Sequence, residues 1–347
     1  MTLDTIIAKT VEYLSVPSVV GHERFFMNYL EADFRRIGLD ADISEGVLAI
    51  HGKRPFSSIV CAHIDRHGLI SLGNGEYAYA AQYVKEIKYG QNNRASQTEL
   101  ESICRRFTGE NVFAYHPETS EKLGNGLIES CGAFMAGGDS IFYVRDMPPA
   151  EPGTPIAYAR TAGQEGDYFK GQIDNAISVG VLYALCQSGF EGTLLLTTEE
   201  EIGKSAQHIM RWLGREGIES QELVILDTSP YKSSEVVDAG TVVLRNRDKS
   251  QKFNAGMVHK LRLRCESLCI PYQFKDEALL AQGKDVRQIG STELGKLVAE
   301  SGGRWSGATV QIPTVLYHTS NETTSRQCIK NYYGLLANIL IEDRLSA

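Results

Sequence analysis

Three consecutive glutamates, Glu199, Glu200 and Glu201, follow an apolar run that ends at Leu196 in the stretch LLLTTEEEIGKSAQ. Such a run reads as a buried strand, and three like charges at its end repel one another. Ordinarily a charge run is a solvated loop or the first turn of a helix, where the macrodipole favours carboxylates. Other segments repeat the arrangement, however. SSIVCA leads into His63 and Asp65, a loop ahead of a helical stretch carries Asp174, ELVIL ends in Asp227, and IPTVLY ends in His318. Open α/β sheets bind ligands beyond the carboxyl ends of their strands. Each residue also has a structural use: a strand-end histidine can be satisfied by its neighbours, Asp174 or Asp227 can cap a helix, and Asp65 can serve a turn. Together, converging carboxylates need a cation. Asp174, Asp227 and Glu201 with one bridging hydroxide balance two dications when His63 and His318 are neutral. Mixed histidine and carboxylate ligation suits zinc, with cobalt or manganese as alternatives.

The elements that must position these groups alternate in type. Phe25, Phe26, Tyr29, Leu30, Phe34 and Ile37 recur at helical spacing. GVLAIHG and SSIVCAHID read as strands, the second apolar enough for the interior of a parallel sheet. From 67 to 170 the composition turns to Gly, Tyr and polar residues. Short strand-like pieces appear there, NVFAYHP, SIFYVRD and TPIAYAR, with one helical candidate, QTELESICRRF. This predicts a small β-rich insert. From 171 the alternation returns: DNAISVGVLYALCQSG reads as a helix stopped at Gly189, GTLLLTT as a strand, KSAQHIMRWLGREG as a helix and ELVILDTS as a strand. STELGKLVAESGG and RQCIKNYYGLLANILIEDRL read as later helices around the strand region ATVQIPTVLYHTS. The expected fold class is α/β, with a doubly covered, largely parallel sheet. The expected division is discontinuous, residues 1–66 plus 171–347 and an insert at 67–170.

The whole chain narrows the classes. Its 347 residues allow one large or two medium domains. A formal net charge of -8 with no Lys/Arg block argues against a nucleic-acid partner. The N-terminal stretch reads as an amphipathic helix rather than a signal peptide, and no apolar run is long enough to cross a bilayer. Seven cysteines, odd in number and without a CxxC pair, fit reduced thiols in a cytoplasmic protein. The spacing of Cys265 and Cys269 has no matching second pair. A serine hydrolase is disfavoured because no GxSxG elbow is present.

With these pieces in view, the sequence resembles the M42 family of dinuclear-metal aminopeptidases, which includes glutamyl and deblocking aminopeptidases and is related to the M28 and M20 zinc exopeptidases. The matching pieces are PSVVGHE, AHID at 62–65, IDNAISVG at 173–180, TTEEEIG at 197–203, ILDTS at 225–229 and IPTVLYHTSNE at 312–322. They stand in the family's order and span nearly the whole chain. The resemblance implies a three-layer α/β/α catalytic domain of zinc-exopeptidase type. It also implies that the β-rich insert is a dimerisation domain, and hence a homo-oligomer, dimer or larger. It implies that Asp174 bridges two metals, that His63 and Asp227 complete one site, and that Glu201 and His318 complete the other. Asp65 would accept a hydrogen bond from the far nitrogen of His63, and Glu200 would be the general base. The reaction implied is removal of N-terminal residues from short peptides by a metal-activated bridging water.

Glu199 receives no chemistry on this reading, because the family commonly has Gln there. Arg66 and His67 stand where the family has an acidic and an aliphatic residue. Directly after Asp65, they are placed to reshape the substrate pocket, with a solvent-facing arginine as the plainer alternative. Glu293 replaces a typical Asp. Two other readings remain: an M20-like amidohydrolase or deacylase on a non-peptide amide, and a non-catalytic metal-binding assembly protein on the same fold.

Overall fold

The runs Ile59–His63, Thr193–Thr197 and Gly307–Thr314 are buried at every position. Strands buried on both faces belong at the centre of a sheet with helices on each side. A computed structural model of the chain describes residues 3–91, 96–134, 139–159 and 162–342. It opens with helices α1 (Leu3–Ser15) and α2 (Arg24–Arg36), followed by strands β1 (Asp40–Ser44), β2 (Val47–His51) and β3 (Ile59–His63). The next segment holds β4 (Leu69–Gly73), β5 (Glu76–Tyr79), α3 (Ala80–Tyr89), α4 (Gln97–Phe107), β6 (Asn111–Tyr115), β7 (Lys122–Phe134), β8 (Asp139–Arg145) and β9 (Pro155–Tyr158). Then come β10 (Gly163–Glu165), β11 (Tyr168–Gly171), α5 (Ala176–Gln187), β12 (Thr193–Thr197), α6 (Ser205–Arg215) and β13 (Leu223–Pro230). The rest comprises α7 (Glu235–Asp238), β14 (Val242–Leu244), α8 (Ala255–Ser267), β15 (Tyr272–Phe274), α9 (Lys275–Ala281), α10 (Glu293–Glu300), β16 (Gly307–Thr314), β17 (Glu322–Ser325) and α11 (Arg326–Ala337).

The large sheet has the order β1-β2-β12-β3-β13-β16-β14-β15. Its middle strands, β12, β3, β13 and β16, are mutually parallel, so their carboxyl ends share one edge. The flanks are mixed: β1 with β2, β2 with β12 and β14 with β16 are antiparallel. The expectation of a largely parallel sheet therefore holds for the centre. Helices α1, α5 and α11 pack with one another on this sheet, and α6 packs with α10.

Strands β4-β5-β8-β7-β6-β9 close into a barrel with its own apolar cluster around Phe107, Tyr115, Ile128 and Phe142. That cluster also takes in Val19, Val20 and Ile202, so the barrel rests on the loops beside the sheet's carboxyl edge. The chain leaves the barrel before residue 170: β10 and β11 pair with β17 in a three-stranded sheet on the main body.

Helices α3, α7, α8 and α9 are additions to the sequence reading. In α8 the apolar positions are few and dispersed among basic residues, which hides its period. The closing helix ends as a π-helical turn at Asn338–Glu342. The remainder of that expected helix, and Arg160 of TPIAYAR, lie outside the described residues. The expectation of reduced thiols fails in one place: Cys104 of α4 and Cys131 of β7 form a disulfide, while five other cysteines are free. Twenty-seven residues separate the pair, and only the packing of α4 across β7 brings them together. Among the described residues no helix is long and apolar enough to cross a membrane.

Helix α5, which follows directly on Asp174, is buried along almost its whole length. Its Gly180 permits the close approach of α1: a Cβ there would stand 2.3 Å from Thr10 Oγ1. That hydroxyl donates to Ile6 O at 2.9 Å. Alanine is the better helix former by about 1 kcal/mol, but overpacking a tight contact costs ~1–3 kcal/mol. Gly180→Ala is therefore expected to lower the denaturant midpoint, and Thr10→Ala in the same chain to restore it. A Gly180→Ala protein more stable than the parent would contradict this packing.

Candidate active site

The parallel register sets His63 of β3 beside Thr197 of β12, and Asp227 of β13 beside Gln311 of β16. Asp174 enters the same edge from the turn before α5, and His318 from the loop after β16. His63 Nε2 lies 3.2 Å from Asp174 Oδ1 and 3.5 Å from Asp227 Oδ1. His318 Nε2 lies 3.3 Å from the other oxygen of Asp174, Oδ2, and 3.7 Å from Glu201 Oε2. Asp174 thus faces one imidazole with each carboxylate oxygen. His67 also enters, with Nε2 2.8 Å from Glu201 Oε2 and its ring centroid 3.9 Å from that of His318. Two trios result, His63, Asp174, Asp227 and His67, Glu201, His318, each offering ligand atoms within 4.8 Å of one another.

These atoms are close but not aligned on one another. Asp174 Oδ1, Glu201 Oε1, His67 Nε2 and His318 Nε2 are buried without a hydrogen-bond partner. Buried polar atoms are normally paired, and a cluster of unpaired carboxylate and imidazole atoms is a donor set for divalent cations. The residues therefore fit the binding of divalent metal ions. Without a cation, protons carry the balance. Burial alone would raise the Asp174 carboxyl, yet contacts with His318 and His63 hold it well below the usual range. Burial disfavours a charged His63, but Asp174, Asp227 and Asp65 hold that ring's pKa well above its ordinary value. Burial and then the Asp174 charge raise Glu201. Burial and the neighbouring His318 and Arg106 keep His67 neutral. The short His67–Glu201 contact is therefore not an ion pair.

Glu200 shares the buried environment, and burial pushes its carboxyl up to about 8, with Lys296 and His63 opposing. Its position is set by Asp65, whose Oδ1 accepts from Glu200 N at 3.0 Å and whose Oδ2 accepts from Glu201 N at 3.0 Å. This departs from the role read for Asp65. His63 Nδ1 meets the main-chain carbonyl of Asp65 at 3.2 Å, while the carboxylate stands at 3.7 Å. Asp65 orients the glutamate loop more directly than the imidazole.

Several supporting residues escaped the sequence reading. Glu322 accepts from Asp174 N through Oε2 and from His318 N through Oε1, each at 2.9 Å. It braces two site residues from behind, and its only sequence signal is its place in the HTSNE stretch. His318 is held at φ 60°, a backbone conformation that costs energy outside glycine. The barrel supplies Tyr79, whose hydroxyl lies 2.6 Å from His67 Nδ1, and Arg106, whose Nη1 lies 2.9 Å from His318 Nδ1. Glu293 sits under the β12 end, accepting from Thr197 Oγ1 at 3.0 Å.

Arg66 turns away from the pocket and from solvent. Its buried guanidinium donates to the carbonyls of Val16 and Leu14, just past and within the C-terminal turn of α1, and lies over the Phe26 ring. Both readings of Arg66 are thereby replaced. The turn around Asp65 sends alternate side chains to opposite sides, so His67, not Arg66, faces the carboxylates.

The third glutamate also has a place. Buried Glu199 accepts from Lys88 and Tyr89 at the end of α3, and from His208 Nε2 at 2.9 Å. It ties the barrel segment to the β12–α6 loop. Hydrogen bonds to charged groups are worth ~1.5–3 kcal/mol, and half-exposed Lys88 contributes least. Glu199→Gln is expected to cost about 2 kcal/mol while leaving metal stoichiometry unchanged. Thermal unfolding with metal analysis checks both; unchanged stability would return Glu199 to a dispensable loop residue.

No protein-family model and no curated protein matches the sequence. Solved structures share its fold. The aminopeptidase APDkam598 of Desulfurococcus kamchatkensis is 15% identical at a TM-score of 0.73, covering 98% of this chain and 95% of its own. The TET aminopeptidase of the marine sediment archaeon Thaumarchaeota archaeon SCGC AB-539-E09 is 15% identical at 0.71, covering 96% and 95%. The TET1 peptidase of Pyrococcus horikoshii, which can assemble into a tetrahedron or a large octahedral shell, is 15% identical at 0.68, covering 97% and 99%. At these identities the likeness establishes the fold: a mixed α/β body with an added β-rich region, shared over nearly the whole length.

Proposed function

We propose that this chain is a metal-dependent aminopeptidase of the M42 type, acting on short peptides. The observation that carries the reading is Asp174, with one carboxylate oxygen toward His63 and the other toward His318, inside a fold shared with aminopeptidases. His63, Asp174 and Asp227 would hold one ion, and Asp174, Glu201 and His318 the other, with zinc best suited to the donor set. When bound, the ions supply a polarised scissile carbonyl and a water of lowered pKa.

The chain's own groups do the rest. Glu200 takes the proton from the attacking water and passes it to the leaving amine. Asp65 fixes the main chain of Glu200 and Glu201, so base and ligand keep separate positions. Glu322 holds Asp174 and His318 in register. Ligation through His318 Nε2 would put that ring's proton on Nδ1, where a guanidinium, which only donates, would find no acceptor; Arg106 would then have to give up its contact with that nitrogen. Burial of His63, His67 and Asp174 limits competing water on that side of the cluster.

Residues 1–66 with 171–347 form the proposed catalytic domain, and 67–170 the proposed insert, whose segment from Gly163 packs on the catalytic side. The barrel is the proposed contact between subunits of a cytoplasmic homo-oligomer, a reading supported by the shells of the TET1 peptidase. Light scattering is expected to give a multiple of the 38.3 kDa chain, and a monomer at micromolar concentration would count against it.

The direct test is a panel of aminoacyl reporters and matched peptides, free and N-acylated, with metal analysis of the same preparation. Hydrolysis confined to free amines, with two metals per chain, is expected. Equal or faster cleavage of blocked amides would move the assignment to a deacylase, and two metals without hydrolysis to a binding protein.

A further inference from the structure

We propose that His67 is an additional ligand of the second metal, with Tyr79 as the residue that orients it. The inference rests on the dinuclear reading above. His67 Nε2 lies 2.8 Å from Glu201 Oε2 and is buried, yet makes no hydrogen bond. A lone pair this close to a carboxylate but unaligned with it is placed to share a cation. Its ring stands edge-on to His318, with centroids 3.9 Å apart, so both imidazoles border the same space as Glu201. The opposite nitrogen, Nδ1, lies 2.6 Å from Tyr79 Oη. A ligating histidine commonly donates its other N–H to an oxygen, which fixes ring and tautomer. Tyr79 belongs to β5 of the barrel, so the inserted segment would tune the metal centre.

A metal-bound imidazole is neutral, so His67 would add a ligand without disturbing the charge balance. It makes the two sites unequal. The first would have His63, Asp227 and the shared Asp174; the second would have Glu201, His318, His67 and the shared Asp174. A site with four protein ligands is closed, whereas one with three keeps a position for water or substrate. The second ion would therefore be the more firmly retained and serve as the anchor, leaving the first as the exchangeable one.

The test begins with the wild-type protein. Zinc is stripped with a chelator and returned in a calorimetric titration, and zinc-edge X-ray absorption of the loaded protein counts imidazoles. Three imidazoles per two zinc ions are expected; two would overturn the role of His67. In the His67→Ala protein, with circular dichroism checking the fold, one equivalent should weaken by about tenfold or more while the other is unchanged. Tyr79→Phe, which keeps the ring and the barrel packing, should weaken the same equivalent, within the roughly 10–100-fold seen for groups that orient ligands. Two equivalents of unchanged affinity in His67→Ala would mean that the histidine only contacts Glu201. Fewer than two equivalents in the wild type would overturn the dinuclear reading itself, and this inference with it.

Discussion

Glu200→Gln is expected to keep both metals and to lose two to four decades of kcat. A positioned acid–base group contributes roughly 10²–10⁴-fold, and on the proposed reading the substitution removes the proton acceptor without removing a ligand. It should not unfold the chain. The Glu200 carboxyl stands near Asp227 and Glu293, and burial raises it to about 8, so without metal it is already mostly neutral and an amide of the same shape replaces it without adding a buried charge. Its main-chain contact with Asp65 is untouched. The neighbouring substitution behaves differently: Glu201→Gln should lose much of the second ion, and excess metal should partly restore the rate. Metal stoichiometry and kcat measured together on both variants decide between the roles. Equal metal loss in the two would mean that base and ligand have been confused, and near-parental rates in both would remove the glutamates from catalysis.

Asp174→Asn is expected to abolish binding of both ions and with it all activity, without rescue by excess metal. Among the described residues only this carboxylate faces both His63, at 3.2 Å, and His318, at 3.3 Å. An amide keeps one oxygen, turns an NH2 toward one imidazole and removes the charge. The metal-free protein should also lose stability. In the metal-free protein the raised His63 and the lowered Asp174 favour a buried ion pair, and removing one partner of such a pair costs ~3–5 kcal/mol. A protein that binds one ion at parental affinity would show that the sites do not share Asp174. Loss of both ions with unchanged stability in the metal-free form would show that the carboxylate is solvated there.

Much of the candidate site was legible in the sequence, for a local reason. A continuous apolar run such as Ile59–Ala62 or Leu194–Leu196 marks a strand buried on both faces. The polar residue that ends it must then lie at the sheet's edge. Because β12, β3, β13 and β16 are parallel, those edges coincide, and His63, Glu201, Asp227 and His318 come together without any long-range information beyond strand direction. The residues behind and around them left no such trace. Glu199 looked like surplus charge until α3 delivered Lys88 and Tyr89 to it. Arg66 and His67 are adjacent, and nothing local says which faces the carboxylates and which reaches back to α1. Tyr79 and Arg106 approach from a barrel whose strands carry no ligand pattern, and Cys104 meets Cys131 only across that barrel. Strand-end chemistry is written by hydrophobic period over a few residues. The supporting contacts join residues up to 212 positions apart, where the order of side chains carries no periodic signal and only packing selects the partner.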